Sequence, residues 1–250
     1  MTDDFLNAAE KAIMRVLQAF KPKLMDAYGR VEFETKADTT VVTSLDKELE
    51  EKLRVALHAL DPGIGILGEE FGQTGSTDIY WTLDPIDGTE QFIRGIPTCK
   101  NLFSLVSDDQ PIWALMYMFV RDELWLARTG QGTFCNGTKV KMRYRPLERC
   151  WLDMSVNLLN PQNVQAVLRL RPHIAGYTIM RDSTLVIGGK TDGIIALEIG
   201  GGPWDYAPRQ LLLMEAGVKM ANLNSNTYDF HNTSFIAAHP RNFDQVISLI

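Results

Sequence analysis

The hydrophobic period changes abruptly at Asp61-Pro62-Gly63, and that change restricts the chain to folds that set helices against a buried sheet. Before this turn the apolar positions repeat as in a helix. Phe5, Leu6, Ala9, Ile13, Val16, Leu17, Phe20 and Leu24 line one face of residues 4–28, with Gly29 closing the helix and Pro22 kinking or dividing it. Leu45, Leu49, Leu53, Ala56, Leu57 and Leu60 line a second helix, capped by Thr43 or Ser44 and stopped at Pro62. After the turn, 64–67 and 79–83 are short and near-continuously apolar, the pattern of strands buried on both faces. Residues 102–106 and 112–120 read as a hairpin with 124–128 as its third strand.

The second half alternates in the same way. Strands are expected near 151–156, 193–197 and 234–238, and helices near 161–169, 182–189, 206–216 and 242–250. No internal repeat, Gly/Ser-rich linker or low-complexity tract interrupts the 250 residues. The expected organisation is one domain, 1–250, with two lobes of about 1–145 and 146–250.

Charge and cysteine content narrow the function classes. Thirty-one acidic against 25 basic residues give a net charge of −6 with no basic stripe, which argues against nucleic acid or an anionic membrane as partner. No apolar run reaches the ~20 residues of a membrane span, and the acidic, amphipathic start is unlike a signal peptide. Cys99, Cys135 and Cys150 form no CxxC pair and leave one thiol over from any disulfide, so a reduced, cytoplasmic location is expected.

One motif is a decoy. Residues 63–68 match GxGxxG, with Asp87 nineteen residues beyond, the outline of a dinucleotide-binding oxidoreductase. That site needs a strand before the glycines and a helix after them, so that the helix N-terminus meets the pyrophosphate. Here a helix and a Pro turn come first, a polar loop over 71–78 follows, and Glu69 and Glu70 put negative charge where the diphosphate would sit.

The informative segment is Trp81-Thr82-Leu83-Asp84-Pro85-Ile86-Asp87-Gly88-Thr89. An apolar strand ends in two aspartates three apart. The hexapeptide 84–89 alone reads either as an ordinary Asp-Pro turn followed by Asp-Gly or as a tight turn in which the two carboxylates and the Ile86 carbonyl can converge on one hard cation. Such oxygen ligands suit Mg²⁺. A helix beginning at Thr89 offers free N–H groups and a hydroxyl to a bound anion. Glu69 and Glu70 end the preceding strand, and Asp205 opens the helix after Gly200-Gly201-Gly202-Pro203-Trp204, where it also fits as an N-cap.

With Gly68-Glu69-Glu70, Asp84-Pro85-Ile86-Asp87-Gly88-Thr89, Trp204-Asp205 and Glu215-Ala216-Gly217 in this order, the chain resembles the inositol monophosphatase family of magnesium-dependent, lithium-sensitive phosphatases. Residues 38–46 (DTTVVTSLD) and 130–137 (GQGTFCNG) are similar to the family as well. The resemblance implies an α+β fold, a layered αβαβα sandwich of the inositol monophosphatase and fructose-1,6-bisphosphatase type, assembled as a homodimer. It implies metal ligands at Glu69, Asp84, the Ile86 carbonyl, Asp87 and Asp205, holding two or three Mg²⁺ ions. Asp46 and Thr89, with Glu69 beside them, are the implied catalytic groups; Asp46 and Thr89 orient and deprotonate the attacking water. Gly88, Thr89 and Lys36 are implied at the phosphate, and Glu198 at substrate hydroxyls or amines.

Charge arithmetic points the same way. Glu69, Asp84, Asp87 and Asp205 bring −4 into one pocket, and a phosphomonoester adds nearly −2, so such a site requires cations to accept its substrate. The expected reaction is hydrolysis of a small phosphate monoester by metal-activated water, with a polyol phosphate such as inositol monophosphate as the favoured substrate. Histidinol phosphate, fructose 1,6-bisphosphate and nucleotide 3′-phosphates are alternatives. Two segments depart from the inositol phosphatase pattern. Residues 92–97 look like the histidinol-phosphate branch, and Thr98-Cys99-Lys100-Asn101-Leu102-Phe103 replaces a smaller apolar run. Asp182, beside Arg181, is an extra acid that pairs either with a substrate amine or with that arginine.

Overall fold

The structure is a computed structural model that describes residues 1–35, 41–180 and 182–250. It falls into two compact units, Met1–Leu126 and Ala127–Ile250.

The first unit opens with helix α1 (Asp3–Ala27), followed by the two-residue strands β1 (Glu34–Thr35) and β2 (Val41–Val42) and by helix α2 (Ser44–His58). Strands β3 (Gly65–Gly68), β4 (Gly72–Thr74) and β5 (Ile79–Asp87) come next, then the short helix α3 (Thr89–Ile93) and strands β6 (Lys100–Ser107) and β7 (Gln110–Met118). The strands hydrogen-bond in the order β7-β6-β5-β3-β4, with β3 parallel to β5 and the other pairs antiparallel. Leu6, Ala9, Ile13, Leu17, Phe20 and Leu24 of α1 pack in one apolar core with Leu45, Leu49, Leu53 and Leu57 of α2 and with Trp81, Leu83, Phe103 and Trp113 of the sheet. The two periodicities in the sequence thus meet in this core.

Pro22 neither ends nor divides α1, which runs unbroken from Asp3 to Ala27. The helix is long enough, and its inner face apolar enough, to absorb the lost hydrogen bond. Instead it stops at Tyr28, whose N–H still reaches Leu24 O, before Gly29 at φ +74°.

Strand β8 (Glu123–Arg128) straddles the border between the units. The second unit continues with the hairpin β9 (Gly132–Cys135) and β10 (Thr138–Val140), β11 (Trp151–Val156), α4 (Pro161–Leu170), β12 (Gly176–Thr178) and α5 (Ser183–Ile187). It ends with β13 (Gly193–Leu197), α6 (Pro203–Glu215), β14 (Lys219–Asn222), β15 (Phe235–Ala238) and α7 (Pro240–Leu249). Its sheet has the order β12-β11-β13-β15-β14, parallel across β12, β11 and β13 and antiparallel beyond. Residues 127–145 belong to this unit because Glu215 fastens them there. Its carboxylate accepts from the N–H groups of Gly130 and Gly132, each at 2.7 Å, and Thr133 donates to Leu212 O. Among the described residues no helix is long and apolar enough to cross a membrane.

Candidate active site

Strand β5 carries the two aspartates of the 84–89 motif. Side chains three apart on a regular strand point to opposite faces. Here the register slips: Asp84 pairs with Leu102 and Asp87 with Lys100, so three steps on β5 face two on β6. This bulge turns both carboxylates the same way, and their nearest oxygens lie within 4.8 Å of each other. Asn101 pins the bulge by donating to Pro85 O at 2.5 Å. The segment expected as a tight turn is therefore a bulged strand end, and the turn comes only at Gly88, whose φ is +82°. A side chain at Gly88 would be strained by that φ and would crowd Gln91 and Cys99.

Asp84 is 1% exposed, whereas Asp87 is partly open. Two carboxylates at this spacing, one buried and one partly open, are a hard-oxygen donor set that fits Mg²⁺ and other oxygen-seeking divalent ions. Ile86 buries its side chain in the core, and its carbonyl accepts from Thr89 Oγ1 at 3.1 Å.

Asp46 reaches the same corner from α2. It is the third residue of that helix and completes a capping box: Oδ2 accepts from Thr43 N at 2.8 Å and from Thr43 Oγ1 at 2.6 Å. Its other oxygen, Oδ1, lies 3.4 Å from Thr89 Oγ1. Burial pushes the Asp46 carboxyl up to about 7, against the two Thr43 hydrogen bonds that favour the ionised form. The negative charges of Glu70 and Glu69 push it in the same direction as burial.

The Gly68-Glu69-Glu70 turn is tied to this corner by backbone. Glu69 N donates to Leu83 O, the residue before Asp84. Glu50, which the sequence did not single out, holds the rest. It is fully buried and accepts from Glu70 N at 2.8 Å and from Phe71 N at 3.3 Å. Arg54 Nε neutralises it at 2.8 Å while the same guanidinium donates to Gly72 O. A side chain at Gly68 would collide with the Glu50 carboxylate, so the last glycine of the GxGxxG decoy makes room for an acid and not for a pyrophosphate. A strand, β4, follows where a dinucleotide site needs a helix.

In the second unit Asp205 is the third residue of α6, and its Oδ2 accepts from Gly202 N at 2.7 Å. It is therefore not the N-cap, which is Gly202, but it satisfies a donor at the helix start from within. Glu198 follows β13 at φ +52°, exposed to solvent, with Ser234 Oγ accepting from its N–H. Asn160 and Asn163 donate to its two carboxylate oxygens at 2.8 and 3.0 Å, which fixes the side chain's direction. Asp182 is fully buried and caps α5, accepting from Thr184 N at 3.0 Å and Thr184 Oγ1 at 2.5 Å. Lys36 and Arg181 lie outside the described residues.

Helices packed with mixed sheets give an α+β fold, and its carboxylate corner, beside the Asp46–Thr89 acid–hydroxyl pair, can hold a metal ion. The sequence model of the inositol monophosphatase family matches residues 2–250, and the chain belongs to that family, whose members are metal-dependent hydrolases of phosphate monoesters. The histidinol-phosphatase of Mycobacterium tuberculosis is 30% identical over 228 residues, covering 86% of each chain. The fructose-1,6-bisphosphatase/inositol-1-monophosphatase of Aquifex aeolicus is 28% identical over 211 residues, covering 78% of each. Among solved structures, the staphylococcal IMPase-I complexed with products superposes with a TM-score of 0.85 at 22% identity, covering 100% of this chain and 96% of that one. The fold is thus the layered α+β fold that the sequence motifs imply.

Proposed function

We propose that this chain hydrolyses a small polyol phosphate, such as inositol monophosphate, with Mg²⁺ held by Glu69, Asp84, the Ile86 carbonyl, Asp87 and Asp205. The observation that carries the reading is the bulge in β5, which brings Asp84 and Asp87 together beside the Asp46–Thr89 pair. When bound, Mg²⁺ lowers the pKa of a coordinated water and offsets the charge of the carboxylates and of the phosphate. The Thr89 hydroxyl aims the attacking water, and Asp46 takes up its proton through that hydroxyl. The N–H groups of Gly88 and Thr89, with Lys36, hold the non-bridging phosphate oxygens. No Ser, Cys or His nucleophile enters the reaction. The protein acts as a cytoplasmic homodimer in this reading.

Two acids bear on the substrate. Glu198 is exposed and held by two asparagine amides, and a carboxylate so placed retains lone pairs for substrate hydroxyls. Asp182 is buried and engaged as a helix cap, which supports a polyol over an amine-bearing substrate. Identity to a histidinol-phosphatase favours the second reading, histidinol phosphate.

A phosphate-release panel with Mg²⁺ over inositol phosphates, histidinol phosphate, fructose 1,6-bisphosphate and adenosine 3′,5′-bisphosphate separates them. The highest kcat/KM is expected for an inositol phosphate. Glu198→Gln should raise its KM several-fold, because charge-assisted hydrogen bonds are roughly twice as strong as neutral ones, while Asp182→Asn leaves KM nearly unchanged. A higher kcat/KM for histidinol phosphate, with a large Asp182→Asn penalty on KM, would replace the polyol reading with the second one.

A further inference from the structure

Lys100 carries its charge into the interior. Its side chain is 3% exposed, its Nζ lies 2.5 Å from Asp87 Oδ2, and it also donates to Thr98 O at 3.2 Å. Sheet register dictates the contact, since Lys100 on β6 is the direct cross-strand partner of Asp87 on β5, just past the bulge. Lysine is almost never fully buried without a partner, because desolvating an ammonium is unfavourable. Cys99 and Asn101 on either side are fully buried as well, so the ammonium is led to this corner by the body of the sheet. Position 100 also lies in the 98–103 run that departs from the small apolar pattern of inositol phosphatases.

We propose that Lys100 is a built-in counter-cation for Asp87, which positions that carboxylate and takes the place of one divalent ion at the Asp84–Asp87 corner. The inference rests on the metal-dependent reading above. Two cations sharing one carboxylate repel in proportion to the product of their charges, and burial weakens the screening. A divalent ion that approaches Asp87 meets a fixed positive charge 2.5 Å from one of its oxygens. An ion that takes Asp84 as its principal ligand is affected less, because Lys100 pairs with the other carboxylate. The lysine therefore ranks the metal positions, keeping one and weakening the other. It also neutralises part of the corner before any metal arrives, which holds Asp87 in place in the metal-free protein.

The test is Mn²⁺ binding to the full chain by isothermal titration calorimetry and electron paramagnetic resonance. Wild type is compared with Lys100→Met, which keeps most of the stem, and Lys100→Gln, which keeps a donor for Thr98 O. Both variants are expected to bind one more Mn²⁺ per chain than wild type, or to bind the weaker ion at least about tenfold tighter. Their metal-free Tm should fall, since Asp87 loses its buried ion pair with Lys100, and Mn²⁺ should restore it by more than it raises the wild-type Tm. If either variant fails to fold without metal by circular dichroism, the other decides the count. Equal counts and affinities in all three proteins, or weaker Mn²⁺ binding by the variants, would overturn the role of Lys100 alone. No Mn²⁺ binding by any of the three would overturn the metal-dependent reading with it.

Discussion

Thr89→Ala is expected to lower kcat by about 10²–10⁴-fold on a confirmed phosphate substrate while leaving most divalent-metal affinity in place. The Thr89 hydroxyl stands between the Ile86 carbonyl and Asp46 Oδ1, at 3.1 and 3.4 Å, and ligates through no carboxylate. Removing it breaks the path from water to Asp46 without altering the charge at Asp84 and Asp87. Asp84→Asn contrasts with it, because it removes a buried negative charge from the donor set; metal affinity and rate should then fall together. Steady-state kinetics at saturating Mg²⁺, with metal binding measured in parallel, separates the two variants. Near-normal turnover by Thr89→Ala would exclude Thr89 and Asp46 as the water-handling pair.

Glu50→Ala is expected to destabilise the fold by about 3–5 kcal/mol, the range for breaking a buried ion pair by removing one partner. Arg54, whose side chain is only 15% exposed, would lose its carboxylate, and the N–H groups of Glu70 and Phe71 would lose their acceptor. Activity should fall as well, because the freed turn carries Glu69. Glu50→Gln keeps an acceptor and the shape, so its loss should be smaller. The check is the midpoint of urea unfolding for all three proteins. A loss below about 1 kcal/mol in Glu50→Ala, as for an exposed pair, would contradict this account of the turn.

Glu50 also shows where reading the sequence stops. Asp84, Ile86, Asp87, Gly88 and Thr89 are legible because they are consecutive and combine oxygen donors with a backbone break. Asp46 is legible in part, since a Thr43-x-x-Asp46 box marks a helix start whatever else it does. Glu50 is one turn further along the same helix, where an acid in an amphipathic pattern reads as one more solvated charge. Its burial follows from Gly68 leaving space for it, and that pairing of positions eighteen apart has no local signature.

Lys100 is a case of the same kind. The sequence marked its run as a departure, but only the cross-strand register with Asp87 shows what the charge faces. In the sequence Asp182 is an acid that suits either a substrate amine or Arg181; only three-dimensional packing shows it buried as the cap of a five-residue helix. The strands themselves were recognised by their apolar runs. Strands β1, β2, β4, β9, β10, β12 and β14 have no such run: each is two to four residues long, β4 lies within the stretch that reads as a polar loop, and the pairing partner rather than the local sequence accounts for them.

The most direct test of the central claim is phosphate release from inositol monophosphate by the purified wild-type chain, first stripped with excess EDTA and then titrated with Mg²⁺. The account predicts no turnover above background in EDTA and full recovery as Mg²⁺ is added. Full activity in excess EDTA would contradict it.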